Sequence, residues 1–189
     1  LSREAYKLAV GFFLDTVAVI KPDQWENNAL GVWNLRDLVG HTARAITNVE
    51  LYAKVGAGGR TVDRANSEAV VERGREAGRQ LGDDPLVAVR AHAERVLAFM
   101  DGIPDDHTLD AVAGNMTLLG YLPSRVQELT THSIDIARTI GHEAEPPDEC
   151  LRVSLYWYVD RLIQRGTGVE VVLALTGREP LPDGFSVFG

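Results

Sequence analysis

Glu128 and His132 stand four residues apart in Glu128-Leu-Thr-Thr-His132-Ser-Ile-Asp135, and a further histidine closes the upstream segment Asp37-Leu-Val-Gly-His41. Residues i and i+4 share one helical face, because 3.6 residues per turn bring them to nearly the same azimuth. Two imidazoles and one carboxylate form a ligand set used by catalytic zinc, with the fourth position left for water or substrate. An E-x-x-x-H spacing is weak by itself, since boundary residues with local hydrogen bonds show it too.

These side chains need helices to position them. From Ser2 to about Ile20, Ala5, Leu8, Ala9, Phe12, Phe13 and Val17 recur at three- and four-residue steps, and Pro22 ends the run. A second helix has Asn34 as N-cap, Asp37 at the capping-box position and Trp33 placed to clasp Leu38 as a hydrophobic staple. Its apolar stripe is Leu35, Leu38, Val39, Thr42, Ala45, Ile46 and Val49, and Gly56-Ala-Gly-Gly59 closes it. From about Asn66 to Leu81 the charges have helical spacing but apolar anchors are few. Gly74 and Gly78 each weaken a helix by around 1 kcal/mol relative to alanine, so a loosely packed helix or lid is expected.

A third strong helix begins at Asp83-Asp84-Pro85, turns Leu86, Val89, Ala93, Val96, Leu97 and Met100 inward, and ends at Gly102 and Pro104. Asp110 to Gly120 reads as loop or strand and carries no chemistry. After Pro123, the apolar residues Leu122, Val126, Leu129, Ile136, Ala137 and Ile140 trace a long helix to Gly141. Another follows Pro146-Pro147, and the apolar tail from Val169 to Leu175 leans towards helix. The expected architecture is all-α: a four-helix bundle with additional short helices, one domain over residues 1–189, its cofactor or metal site built from facing helices. On a helical wheel His41, Glu128, His132 and Asp135 fall on the shoulders of their apolar stripes, where a cleft open to solvent would lie.

Composition narrows the function. With 189 residues, 45% hydrophobic and 24% charged, the chain reads as an ordinary globular domain. It has no apolar run of the roughly 18 residues that span a bilayer and no leader pattern, so a cytoplasmic protein without membrane partners is expected. One cysteine, Cys150, excludes an internal disulfide, and any metal must be held by nitrogen and oxygen. A net charge of -8 opposes nucleic acid, and Arg60, Arg64, Arg73, Arg75 and Arg79 are interleaved with Asp63, Glu68, Glu72 and Glu76 as on a solvated helix face. Nucleotide-binding and nucleophile-elbow motifs are lacking.

Secondary roles have bland competitors. Asp37 and Asp135 could each accept a hydrogen bond from the neighbouring histidine's non-ligating nitrogen, although capping already occupies Asp37. His92 is read as a histidine hydrogen-bonded at the bundle edge, Cys150 as a buried inert thiol, and Trp25, Trp33 and Trp157 as packing residues. His107 and His142 receive no role.

Taken together, Trp33-Asn-Leu-Arg-Asp37-Leu-Val-Gly-His41 and Glu128-Leu-Thr-Thr-His132-Ser-Ile-Asp135-Ile-Ala-Arg138 resemble the mycothiol-dependent maleylpyruvate isomerase N-terminal family, within the wider DinB-like group. The resemblance spans most of the chain. It implies a DinB-like four-helix bundle in which His41, Glu128 and His132 bind a divalent metal, zinc being the expected ion. The isomerase proper carries a further C-terminal domain, for which too few residues remain here, so maleylpyruvate itself is not the expected substrate. The expected function is a metal-dependent thiol S-transferase or isomerase, with mycothiol or another small thiol activated for attack on a small electrophilic substrate. The alternatives are a metal-assisted hydrolase, or a metal- or ligand-binding regulatory bundle without turnover. A homodimer is compatible with such a bundle.

Overall fold

Periodic apolar residues bounded by caps yield seven α-helices among the described residues, which in this computed structural model are 2–56 and 67–188. They are α1 (Ser2–Ala18), α2 (Leu35–Lys54), α3 (Ser67–Gln80), α4 (Pro85–Asp101), α5 (Leu118–Thr139), α6 (Asp148–Gln164) and α7 (Gly168–Leu175). Two short antiparallel hairpins lead into α2 and α5: β1 (Asn28–Leu30) with β2 (Trp33–Asn34), and β3 (Thr108–Ala111) with β4 (Gly114–Thr117). α1, α2, α4 and α5 pack as a ring, α1 and α2 each contacting both α4 and α5. α3 packs on α2, and α6 on α5 and α1. The fold is the all-α, DinB-like four-helix bundle with accessory helices that the sequence leads one to expect. Among the described residues no helix is long and apolar enough to cross a membrane.

The helix starts follow capping chemistry. Asn34 accepts a hydrogen bond from the Asp37 backbone N–H at 2.9 Å, and Asp84 accepts one from Val87 N–H at 3.1 Å with Pro85 in the first turn. α2 buries residues almost all round, because α3, α4 and α5 all pack on it. The α1 stripe is rotated from its expected setting: Tyr6 and Val10 are buried beside Ala5, Ala9, Phe13 and Val17, whereas Leu8 is exposed and Phe12 only half-buried. Its helix faces both α4 and α5, which widens the buried arc beyond a single apolar row.

Three expectations need correction. α3 is no loose lid. A Cβ at Gly40 on α2 would sit on the backbone of Ala77 and Gly78 on α3, and one at Gly78 would lie 2.9 Å from the Arg36 carbonyl oxygen. The glycines that weaken α3 as an isolated helix let two backbones approach closely. α5 starts at Leu118, five residues before Pro123, because Thr117 caps it by accepting from Gly120 N–H at 3.1 Å. Asp110–Gly120, read as carrying no chemistry, supplies the β3–β4 hairpin, whose tip lines the main cavity. α7 is helical as expected. The glycine-rich stretch past Gly56 and the charges at Arg60, Asp63 and Arg64 lie outside the described residues.

Candidate metal centre

His41 lies in the second turn of α2, and Glu128 and His132 lie one turn apart on α5, the helix facing it. One ligand atom from each falls within 4.8 Å of the others. His41 Nε2 is 3.0 Å from Glu128 Oε1, and His132 Nε2 is 3.8 Å from the same oxygen. The imidazole centroids are 5.3 Å apart with the rings almost perpendicular. Ligand atoms about 2.0–2.1 Å from a tetrahedral zinc sit roughly 3.3 Å from one another, so the observed separations bracket the edge of such a tetrahedron. The donor set can hold a divalent ion.

The protonation states suit the same purpose. Burial lowers the His41 pKa more than its hydrogen bond to Glu128 raises it, leaving the ring neutral at neutral pH; Nε2–H donates to Glu128 Oε1, and an ion bound at Nε2 would take the place of that proton, which moves to Nδ1. Burial alone would push Glu128 up, but the His41 hydrogen bond and the charges of Arg125, His132 and His41 outweigh it and bring the carboxyl to about 2. Because the folded value lies below the ordinary 4.5, Glu128 contributes stability that is fully present above about pH 4.5 and is lost as pH falls through about 2. Denaturant melts of the metal-free protein between pH 5 and 2 should therefore show a loss on the order of 2–3 kcal/mol attributable to this group. Glu128→Gln should flatten that part of the profile.

Surrounding groups hold the ligands in place. Asp135 Oδ2 lies 3.1 Å from His132 Nδ1, which leaves Nε2 turned to Glu128. Asp37 has no such relation to His41, since among the described residues His41 Nδ1 is buried with no hydrogen-bond partner. Trp33 does more than staple a helix start. Its ring stacks 4.4 Å from that of His41, its Nε1–H donates to the Val71 carbonyl on α3 at 3.0 Å, and a Cβ at Gly74 would strike it at 2.7 Å.

A cavity of about 650 Å³ opens from His41 and Glu128. Arg44, Arg73, Arg125 and Arg161 line it, and Glu128 is the single carboxylate in its wall among the described residues. Arg125 lies over Tyr121 at 4.8 Å and Arg161 over Trp157 at 4.5 Å. Among the described residues Arg73, Arg125 and Arg161 form no salt bridge, Arg125 acting on Glu128 only through its charge, although the chain carries 27 acidic against 19 basic residues. The sequence grouped Arg73 with the solvated charges of α3. Only Arg75 and Arg79 pair there, with Glu72 and Glu76, whereas Arg73 lines the cavity. Trp157 proves a wall of the cavity too.

The remaining candidates take no part. His92 is half-buried and does not line the cavity, and its Nδ1 has no hydrogen-bond partner among the described residues, contrary to the bonded edge histidine expected. Burial pushes the Cys150 thiol up to about 11, so it stays protonated and unreactive.

The family model of the mycothiol maleylpyruvate isomerase N-terminal domain matches residues 6–137, which include all three clustered side chains. The structure resembles the crystal structure of the mycothiol-dependent maleylpyruvate isomerase, with a TM-score of 0.64 and 16% identity over 88% of this chain and 72% of that one. It resembles a histidine-to-alanine mutant of that enzyme with a TM-score of 0.63 and 18% identity over the same shares. No curated protein sequence matches significantly. With more than two thirds of its length covered by the family model, the chain belongs to the mycothiol maleylpyruvate isomerase N-terminal domain family.

Proposed function

We propose that this protein is a metal-dependent enzyme of the thiol S-transferase or isomerase type, using mycothiol or a related small thiol against a small anionic electrophile. The observation that carries the reading is the convergence of His41, Glu128 and His132, the first two of which line an arginine-rich cavity. A divalent ion, zinc by the nature of the donors, would be held by His41 Nε2, His132 Nε2 and Glu128 Oε1, and when bound it supplies charge that keeps a thiol deprotonated at neutral pH. Neutral His41 and ionised Glu128 need release no proton to solvent on binding; the His41 ring has only to shift its proton from Nε2 to the unpartnered Nδ1.

The protein's other groups handle the electrophile. Arg73, Arg125 and Arg161 can pair with carboxylates, bidentate geometry favouring a planar anion. Tyr121 and Tyr52, whose rings meet edge-on at 5.7 Å, form part of the wall with Trp157 and Phe188. Burial raises the Tyr121 pKa, so its hydroxyl remains a hydrogen-bond donor. The thiolate sulfur adds to an electrophilic carbon. As the C–S bond forms, the π pair of the double bond moves onto the carboxylate as an enolate; in transfer a proton from solvent is added at the α carbon, and in isomerisation, after rotation about the former double bond, the enolate pair re-forms it and expels the thiolate.

The test is to incubate zinc-loaded protein with mycothiol and a panel of α,β-unsaturated carboxylates and their methyl esters, following thiol adducts and geometric isomers by mass spectrometry and NMR. Turnover of the acids in preference to the esters is expected. Arg125→Leu and Arg161→Leu should each raise KM for the acid about tenfold or more, the equivalent of about 1.4 kcal/mol, with a smaller change in kcat. Cleavage of the esters without thiol consumption would replace this reading by metal-assisted hydrolysis.

A further inference from the structure

Glu128 has two carboxylate oxygens, and only one faces the histidines. Oε1 is the atom near His41 and His132, while Oε2 accepts a hydrogen bond from Gln127 Nε2 at 3.2 Å. The Gln127 amide is buried and fully engaged: Nε2 also donates to the Ser124 carbonyl at 3.1 Å, and Oε1 accepts from the Tyr158 hydroxyl at 2.9 Å. Tyr158 lies on α6, beyond the end of the family match at residue 137, and its oxygen is 2.5 Å from Thr131 Oγ1. With the tyrosine proton directed to Gln127, the threonine hydroxyl donates to the tyrosine oxygen. The relay therefore runs from Thr131 through Tyr158 and Gln127 to the carboxylate.

An amide has two orientations that differ by exchange of oxygen and nitrogen, and a buried one keeps the orientation that its partners allow. A flipped Gln127 would turn its carbonyl oxygen towards Glu128 Oε2 and the Ser124 carbonyl, setting acceptor against acceptor. That clash disfavours the flip, and the tyrosine hydroxyl anchors the far end of the amide by donating to its carbonyl oxygen. Burial raises the Tyr158 pKa and keeps the phenol protonated, as the donor role requires.

We propose that Tyr158 and Gln127 are positioning residues that hold Glu128 with one oxygen fixed and the other presented to His41 and His132, so that α6 sets the affinity of the centre. The inference rests on the reading of these three residues as metal ligands and adds a control exerted from outside the matched domain. Tyr158 also meets the Phe188 ring edge-on at 6.2 Å, and Phe188 lines the cavity. The C-terminal segment thus touches both the substrate wall and the relay.

The test compares zinc affinity, by competition with a chromophoric chelator, and the visible spectrum of cobalt-substituted protein in wild type, Tyr158→Phe, Gln127→Met and Val153→Ala. Tyr158→Phe and Gln127→Met should weaken zinc by about 10- to 100-fold, the usual effect of losing a partner behind a metal ligand, and should alter the cobalt bands. Val153→Ala loosens the packing of the same helix without touching the relay and should keep wild-type affinity and spectrum. Either relay variant, folded by circular dichroism, with unchanged affinity and spectrum would overturn the positioning role alone. Equal weakening in Val153→Ala would also overturn it, reducing the effect to general packing. A wild-type protein that takes up neither ion would overturn this inference and the proposed function together.

Discussion

Replacing His132 by alanine should leave a folded bundle that has lost its metal and its activity. The side chain is at the boundary, 17% exposed, and the ten buried residues of α5 that hold the helix in the core are untouched. Losing a partner behind a metal ligand costs about 10- to 100-fold in affinity, so losing the ligand itself should cost more than about a hundredfold, with thiol addition falling at least in parallel. Helical content by circular dichroism, metal content by mass spectrometry and adduct formation separate the outcomes. A variant that keeps metal and activity would remove His132 from the centre. One that unfolds would make the ion a structural staple and favour the regulatory bundle over the enzyme.

The second large effect is expected far from any ligand. In Gly40→Ala the new methyl group would overlap the Ala77–Gly78 backbone, and the clash cannot be relieved by turning a side chain. α3 must move away from α2, and overpacking of this kind typically costs 1–3 kcal/mol. In a protein of this length that corresponds to a Tm lower by about 2–12 °C. The displacement reaches the centre through Trp33, which rests on Gly74 and donates to Val71 on α3 while stacking on His41. Metal affinity should fall together with Tm. An unchanged Tm would mean that the helices are not in the close contact described, and a lower Tm with wild-type affinity would break the link from α3 through Trp33 to His41.

Which parts of this arrangement the sequence discloses follows from the range of the interactions. Caps at Asn34 and Asp84 and the stripes of α2, α4 and α5 depend on neighbours within four residues, so spacing alone reveals them. The Glu128–His132 pair is visible for the same reason, whereas the addition of His41 came from the resemblance of two whole segments to a family. Gly74 and Gly78 mislead, because intrinsic propensity counts their cost to one helix and knows nothing of the helix packed on it. Arg44, Arg73, Arg125 and Arg161 come from four different helices, and no local pattern announces that they share a cavity. The Gln127–Tyr158 contact spans 31 residues and is equally silent. In α1, where α4, α5 and α6 share the burial, a one-row periodicity points to Leu8 and Phe12 in place of Tyr6 and Val10.

The contrast between cavity and chain is informative. A protein of net charge -8 has carboxylates to spare, yet Arg125 and Arg161 rest on aromatic rings beside the candidate metal centre and form no salt bridge among the described residues. Guanidinium groups left in this state favour an anionic ligand over a neutral one, which is why the acid and ester forms of one electrophile discriminate so directly.

Anomalous diffraction at the zinc edge, recorded from crystals of the zinc-loaded protein, tests the central claim most directly. One ion per chain is expected, about 2.0–2.2 Å from His41 Nε2, His132 Nε2 and Glu128 Oε1. Saturating zinc that produces no anomalous peak among these three atoms would contradict it.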